Sequence, residues 1–150
     1  MATSRFRKSS VPTPASTALD KPRIILGIDP GTQLLGFGVV RAVGKKAEYV
    51  DMGILDLRKE KDAYTKLQSI FDCISEVCKS YHPDELAIES PFYGKNAQVV
   101  LKLGRAQGAA IIANEANRLT RLSRILLVDI KKHNSPFLGP YSAVRRLAYA

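Results

Sequence analysis

Ile24-Ile25-Leu26-Gly27-Ile28-Asp29, closed by Pro30-Gly31-Thr32, is the stretch on which the reading of this 150-residue chain turns. A β-branched, aliphatic run stopped by Pro-Gly predicts a short buried strand whose last residue is a carboxylate at a turn. Strand alternation sends Ile24, Leu26 and Ile28 to one face and Ile25, Gly27 and Asp29 to the other. The acid therefore ends among apolar neighbours and needs a cation, a hydrogen bond or water.

Downstream, Gly36 to Val43 and Lys46 to Leu57 read as two more strands joined through Val43-Gly44-Lys45-Lys46, which predicts a three-stranded antiparallel meander. From Asp62 to Tyr81 the apolar residues Leu67, Ile70, Phe71, Ile74, Val77, Cys78 and Tyr81 recur at steps of three and four, the stripe of an amphipathic helix that Pro83 prevents from continuing. Glu85-Leu86-Ala87-Ile88-Glu89 repeats the opening pattern, an apolar run ending in an acid, and its place after a helix suggests a crossover back to the first sheet. If the two runs are parallel neighbours, Asp29 and Glu89 converge at the sheet edge where ligands of α/β folds bind. A second long helix is expected over about Asn96 to Asn117, where Gly104, Ala106, Gly108, Ala109 and Ala110 permit close approach of the sheet or a second subunit. Ile125 to Val128 reads as a fifth strand, although Arg118, Arg121 and Arg124 at steps of three would also suit a continuing helix.

Composition sets the frame for these elements. Hydrophobic residues at 45% and charged residues at 25% match soluble globular proteins and exclude a chain disordered throughout. No apolar run reaches membrane-spanning length, so a cytoplasmic protein with no membrane partner is expected. The net charge of +9 is carried by the flanks: residues 1–23 hold five bases and one acid, and residues 117–150 hold seven and one. Phosphate affinity in the central region therefore depends on where its lysines sit. Residues 1–22, rich in Ser, Thr and Pro, are expected to form a flexible arm, although an organelle transit segment has a similar composition. Residues 23–130 form the expected folded domain, and 131–150, with Pro136, Gly139 and Pro140, an irregular basic tail. Cys73 and Cys78 are too oddly spaced for a zinc clip or redox pair and are expected to be reduced and packed.

Two convergent carboxylates suit general acid–base work or a hard divalent ion. The neighbouring turn Ser90-Pro91-Phe92-Tyr93-Gly94-Lys95-Asn96 favours the ion, because aromatics, a lysine and an amide are groups that stack on bases and hold phosphates. Plainer readings stand beside this one. Asp29 before Pro-Gly can be only a turn former, and Lys95, Lys102 and Arg105 only a solvated face. His82 and His133 read as structural or solvent-facing, and Asp51, Asp56, Asp84 and Glu85 as surface or turn acids.

Three linked motifs, Ile25 to Thr32 with Gly36-Phe37-Gly38-Val39, Ala87-Ile88-Glu89 with Phe92 and Lys95-Asn96, and Leu101-Lys102-Leu103-Gly104-Arg105-Ala106-Gln107-Gly108, resemble the bacterial Holliday junction resolvase family, RuvC, over residues 23–117. The resemblance implies an α/β, ribonuclease H-like mixed sheet flanked by helices. It also implies a structure-selective endonuclease, a crossover junction endodeoxyribonuclease acting in DNA recombination and repair. Such enzymes are homodimers that cut four-way junction DNA with two Mg²⁺ ions per subunit and work with the RuvA–RuvB branch-migration complex. Asp29 and Glu89 match the family's catalytic and metal-binding acids on its first and fourth strands. Phe92 matches an aromatic near the junction crossover, with Lys95, Asn96, Lys102 and Arg105 as DNA contacts.

The family carries two further metal-binding positions near its C-terminus. Asp129 is the one acid after Glu115 in this chain, and it stands at the wrong point. The expectation is that the family sequence stops near Arg118, the rest being frameshifted or diverged, and that the metal site is incomplete. A non-catalytic junction-binding remnant is thus an alternative reading. Another is a phosphate-loop ATPase or kinase-like domain, since Asp29-Pro30-Gly31-Thr32 also resembles the phosphate loop of sugar kinases and actin-like ATPases. Those proteins need a second lobe, for which this length leaves no room.

Overall fold

The computed structural model describes residues 21–44, 46–90, 96–117 and, as backbone, 124–128. The order is β1 (Arg23–Asp29), β2 (Leu34–Val43), β3 (Lys46–Asp56), α1 (Ala63–Tyr81), β4 (Glu85–Glu89), α2 (Ala97–Ala116) and β5 (Arg124–Val128). Residues 1–20 of the expected arm, the tail over 131–150 with His133, and Phe92, Lys95 and Asp129 lie outside the described residues. No described helix is long and apolar enough to cross a membrane.

The strands form one mixed sheet in the order β3-β2-β1-β4-β5. The meander is antiparallel, turning at Gly44 with a left-handed φ of 56°, and β4 and β5 join it in parallel. β2 begins earlier than the expected Gly36, at Leu34, because Leu35 is drawn fully into the core. β3 ends at Asp56, before the expected Leu57, where the Asp56 carboxylate accepts the backbone N–H of Arg58 and turns the chain.

Both helices lie against one face. The α1 stripe supplies Ile70, Ile74, Val77 and Cys78 to a core with Leu26, Ile28, Leu35, Val39, Leu86 and Ile88, while the buried apolar residues of α2 are alanines, Ala106, Ala110 and Ala113, with Ile111 partly buried beside them. Small side chains let α2 sit close. Each Leu, Ile or Val side chain removed from water in this core contributes about 1.5–3 kcal/mol. Asp62 caps α1, its carboxylate accepting the Thr65 N–H at 2.8 Å, and that N–H holds the acid below the usual carboxylate range. His82 ends the helix in the left-handed region at φ 47°, donating its N–H to the Cys78 carbonyl. Burial pushes the Cys78 thiol up to about 11, so it stays protonated and packed, as its spacing predicted.

The opposite face holds a smaller buried cluster, Ile25, Val40, Ala42 and Ala87, with Ala47 against it. On that face too stand Asp29 and Glu89.

Candidate active site at the tips of two parallel strands

What brings the two acids together is a clamp at the other end of their strands. The Asp84 N–H donates to the Ile24 carbonyl at 2.8 Å, and the Ile24 N–H donates back to the Asp84 carboxylate at 2.9 Å. One residue along, the Arg23 guanidinium meets Glu85 at 2.8 Å. These contacts start β4 level with β1 and fix the register Ile25↔Glu85 through Ile28↔Ile88. The next residues in that register are Asp29 and Glu89.

Two expectations about acids change here. Glu85 read as a surface or turn acid, yet it is buried, and its charge is met by Arg23. Asp84 does sit at a turn, but it holds two strands in register. Neither role shows in composition, since both arise from pairing across sixty residues of chain.

At the opposite edge Asp29 and Glu89 are partly exposed on adjacent strands, which lie about 4.8 Å apart in any sheet. Alternation puts them on one face, with Gly36 paired beside Asp29 on the other side, so no side chain blocks approach from β2. Gly31 shapes the turn after Asp29: a Cβ there would fall 1.8 Å from the Leu34 carbonyl oxygen. The Gln107 amide donates to the Glu89 backbone carbonyl at 3.2 Å and ties the end of β4 to α2. Sequence reasoning assigned no role to Gln107, a mid-helix amide that no spacing rule singles out.

Asn96, expected as a DNA contact, is the N-cap of α2; its Oδ1 accepts the Gln98 and Val99 N–H groups, leaving its amide nitrogen to donate outward. Lys102 and Arg105 are exposed on α2 and line a cavity of about 280 Å³ between the β1–β2 turn, α1 and α2.

The donor set fits a hard divalent ion. Mg²⁺ takes oxygen ligands, is commonly held by one or two carboxylates, and completes its shell with water and substrate phosphates. Among the described residues no group of three or more His, Cys, Asp or Glu converges, so Asp29 and Glu89 are the acids this part of the chain offers.

A sheet ordered 3-2-1-4-5, with its first three strands antiparallel, helices on one face and an acid at the tip of each of two central parallel strands, has the ribonuclease H-like fold. Within that class the sequence profile described as "Crossover junction endodeoxyribonuclease RuvC" matches residues 25–133, past Arg118, where the resemblance was expected to stop. The chain belongs to the RuvC family. It is 54% identical over 97 residues to the protein of that name from Christiangramia forsetii, covering 65% of this chain and 50% of the relative. Against the Bacteroides fragilis relative it is 56% identical over 93 residues, covering 62% and 50%. Among solved structures, Thermus thermophilus RuvC in complex with Holliday junction substrate superposes with a TM-score of 0.58 at 26% identity, covering 63% of this chain and 59% of that one. The chain thus spans about half the length of the curated relatives it matches. The Asp29-Pro30-Gly31-Thr32 turn lies inside the RuvC match, and the sugar-kinase and ATPase alternative finds no support.

Proposed function

We propose that this chain carries the cleavage chemistry of a junction-resolving endonuclease, with Asp29 and Glu89 holding divalent metal, Mg²⁺, against a DNA phosphodiester. The observation that supports this most is the in-register parallel pairing of β1 with β4, which sets both acids at one edge and on one face.

A bound Mg²⁺ at such a site neutralises phosphate charge and lowers the pKa of water toward neutrality. The chain's own contributions are positional. The Asp84 and Arg23–Glu85 contacts hold the register, Gln107 steadies the end of β4, and the Gly31 turn keeps Asp29 at the sheet rim. Lys102 and Arg105 supply positive charge beside that rim, where a polyanion is held mainly by its phosphates. Phe92 and Lys95 complete the expected DNA surface by family resemblance.

A homodimer is part of the same proposal. On α2, Leu101 and Ile112 are 56% and 59% exposed, and Gly104 and Gly108 between them have no atom within 4 Å of where a Cβ would stand. This stripe lies apart from the buried alanines and suits a second copy of the helix at close range.

The test is cleavage of a synthetic four-way junction with Mg²⁺ or Mn²⁺. Asp29→Asn or Glu89→Gln is expected to lower the rate at least about a thousandfold, roughly 4 kcal/mol of transition-state stabilisation, with unchanged thermal unfolding. Junction binding without cleavage in either metal would instead mark a non-catalytic remnant.

A further inference from the structure

The cavity beside the acid edge holds more charge than the motifs assigned to it. Its lining brings Lys61 and Lys66 from the α1 end, Lys102 and Arg105 from α2, and Gly31, Thr32 and Gln33 from the turn after Asp29. No carboxylate lines it, and none of the four cations forms a salt bridge among the described residues. Lys66 Nζ donates to the Thr32 carbonyl at 3.3 Å, which fixes one of the ammonium groups at the rim. Asp62 stands close by in sequence, but its carboxylate is turned to the N–H and hydroxyl of Thr65.

Four like charges brought together from the α1 end and α2 repel unless an anion joins them. The first turn of α1 adds the positive end of a helix dipole at Ala63. The floor is apolar, from Leu57, Leu67, Ile70 and Ala106, so the polar groups are confined to the mouth. At about 280 Å³ the cavity is slightly below the range of small-molecule sites, roughly 300–1,000 Å³, a size for a phosphate and its attached sugar.

Its position selects among phosphates. Thr32 is three residues from Asp29, so chain geometry keeps the two within about 11 Å. That separation is within about three nucleotide steps at roughly 3.4 Å of axial rise per strand. The floor residues belong to the helix-side core, whereas Asp29 and Glu89 stand on the other face, so the pocket and the acids flank one sheet edge.

We propose that this pocket, with Lys61 and Lys66 as its unassigned members beside Lys102 and Arg105, seats a backbone phosphate of the same nucleic-acid strand, within about three nucleotides of the phosphodiester that meets Asp29 and Glu89. The assignment rests on the nuclease reading above and adds a second anchor, across the sheet edge, that holds the strand on both sides of the acids.

The test uses the full chain carrying Asp29→Asn, so that DNA is not cut, and measures affinity for a synthetic four-way junction over a potassium chloride series without divalent metal. Adding Lys61→Gln with Lys66→Gln is expected to make the slope of log affinity against log salt shallower by about 0.9, the value for a single phosphate no longer neutralised. Linear duplex should show the same change, because a bound phosphate carries no sequence or junction information. Lys102→Gln with Arg105→Gln, approaching from α2, should reproduce it, and Lys46→Gln, on the distant hairpin, should not. An unchanged slope in both pocket variants, with DNA still bound by the parent, overturns the pocket assignment and spares the nuclease reading. A parent that binds no DNA overturns both. Titration with inorganic phosphate separates the sources: if the pocket variants lose phosphate binding yet keep the full salt slope on DNA, the site takes free anions and the nucleic-acid assignment fails.

Discussion

One face of the sheet is closed by α1 and α2 over a continuous core; the other carries Asp29 and Glu89 at its rim and leaves Met52 and Ile54 on β3 at 50% and 71% exposure. The same strands build both, because alternation gives each residue to one side only. Leu26 and Ile28 anchor β1 to the helices, while Ile25, Gly27 and Asp29 face away. Packing is thus concentrated on the helix side, which frees the acid side to gather like charges that destabilise a fold until a cation joins them.

Truncation should expose that asymmetry most strongly. Leu26→Ala is expected to cost about 2–5 kcal/mol in urea unfolding. Ile54→Ala, on the other face, should stay within about 0.5 kcal/mol. Equal losses at the two positions would mean that β3 is covered in solution.

A smaller effect is expected from the clamp that links the faces. Arg23→Ala leaves Glu85 buried without its guanidinium and should lower stability by about 1–3 kcal/mol. Because the clamp sets the register, amide chemical shifts should also move at Asp29 and Glu89, at the far end of the strands. Loss of stability without such shifts would separate register from packing.

The smallest effect concerns the outer edge of the helix side. The Tyr81 hydroxyl donates to Asp51 and holds its carboxyl below the usual range, with the Met52 N–H second. A depressed folded-state pKa stabilises above the unfolded value and is lost as pH falls through the folded one. Tyr81→Phe should therefore be less stable than the parent at neutral pH, and the gap should narrow below about pH 4. A gap that widens in acid would contradict this.

The elements were legible because their signals are local. A β-rich run stopped by Pro-Gly, a stripe at helical spacing and a proline after it need no knowledge of distant chain. The convergence of Asp29 and Glu89 was legible as a condition, since it required only that two similar runs be parallel neighbours. Glu85 was misjudged, and the bridging role of Asp84 missed, for the converse reason: what an acid at the head of a strand does depends on what lies across from it, here Arg23 and Ile24. Lys61 and Lys66 carried no signal at all. Their pocket is assembled from a turn and two helices, and charged residues at a helix start read as ordinary solvated surface.

The central claim, that Asp29 and Glu89 jointly bind a divalent cation, is most directly tested without turnover by titrating Mn²⁺ into isotope-labelled chain and following paramagnetic broadening of amide signals. Broadening should begin at the C-terminal ends of β1 and β4 together and disappear in both Asp29→Asn and Glu89→Gln. Broadening centred elsewhere, or surviving in either variant, would contradict the shared site.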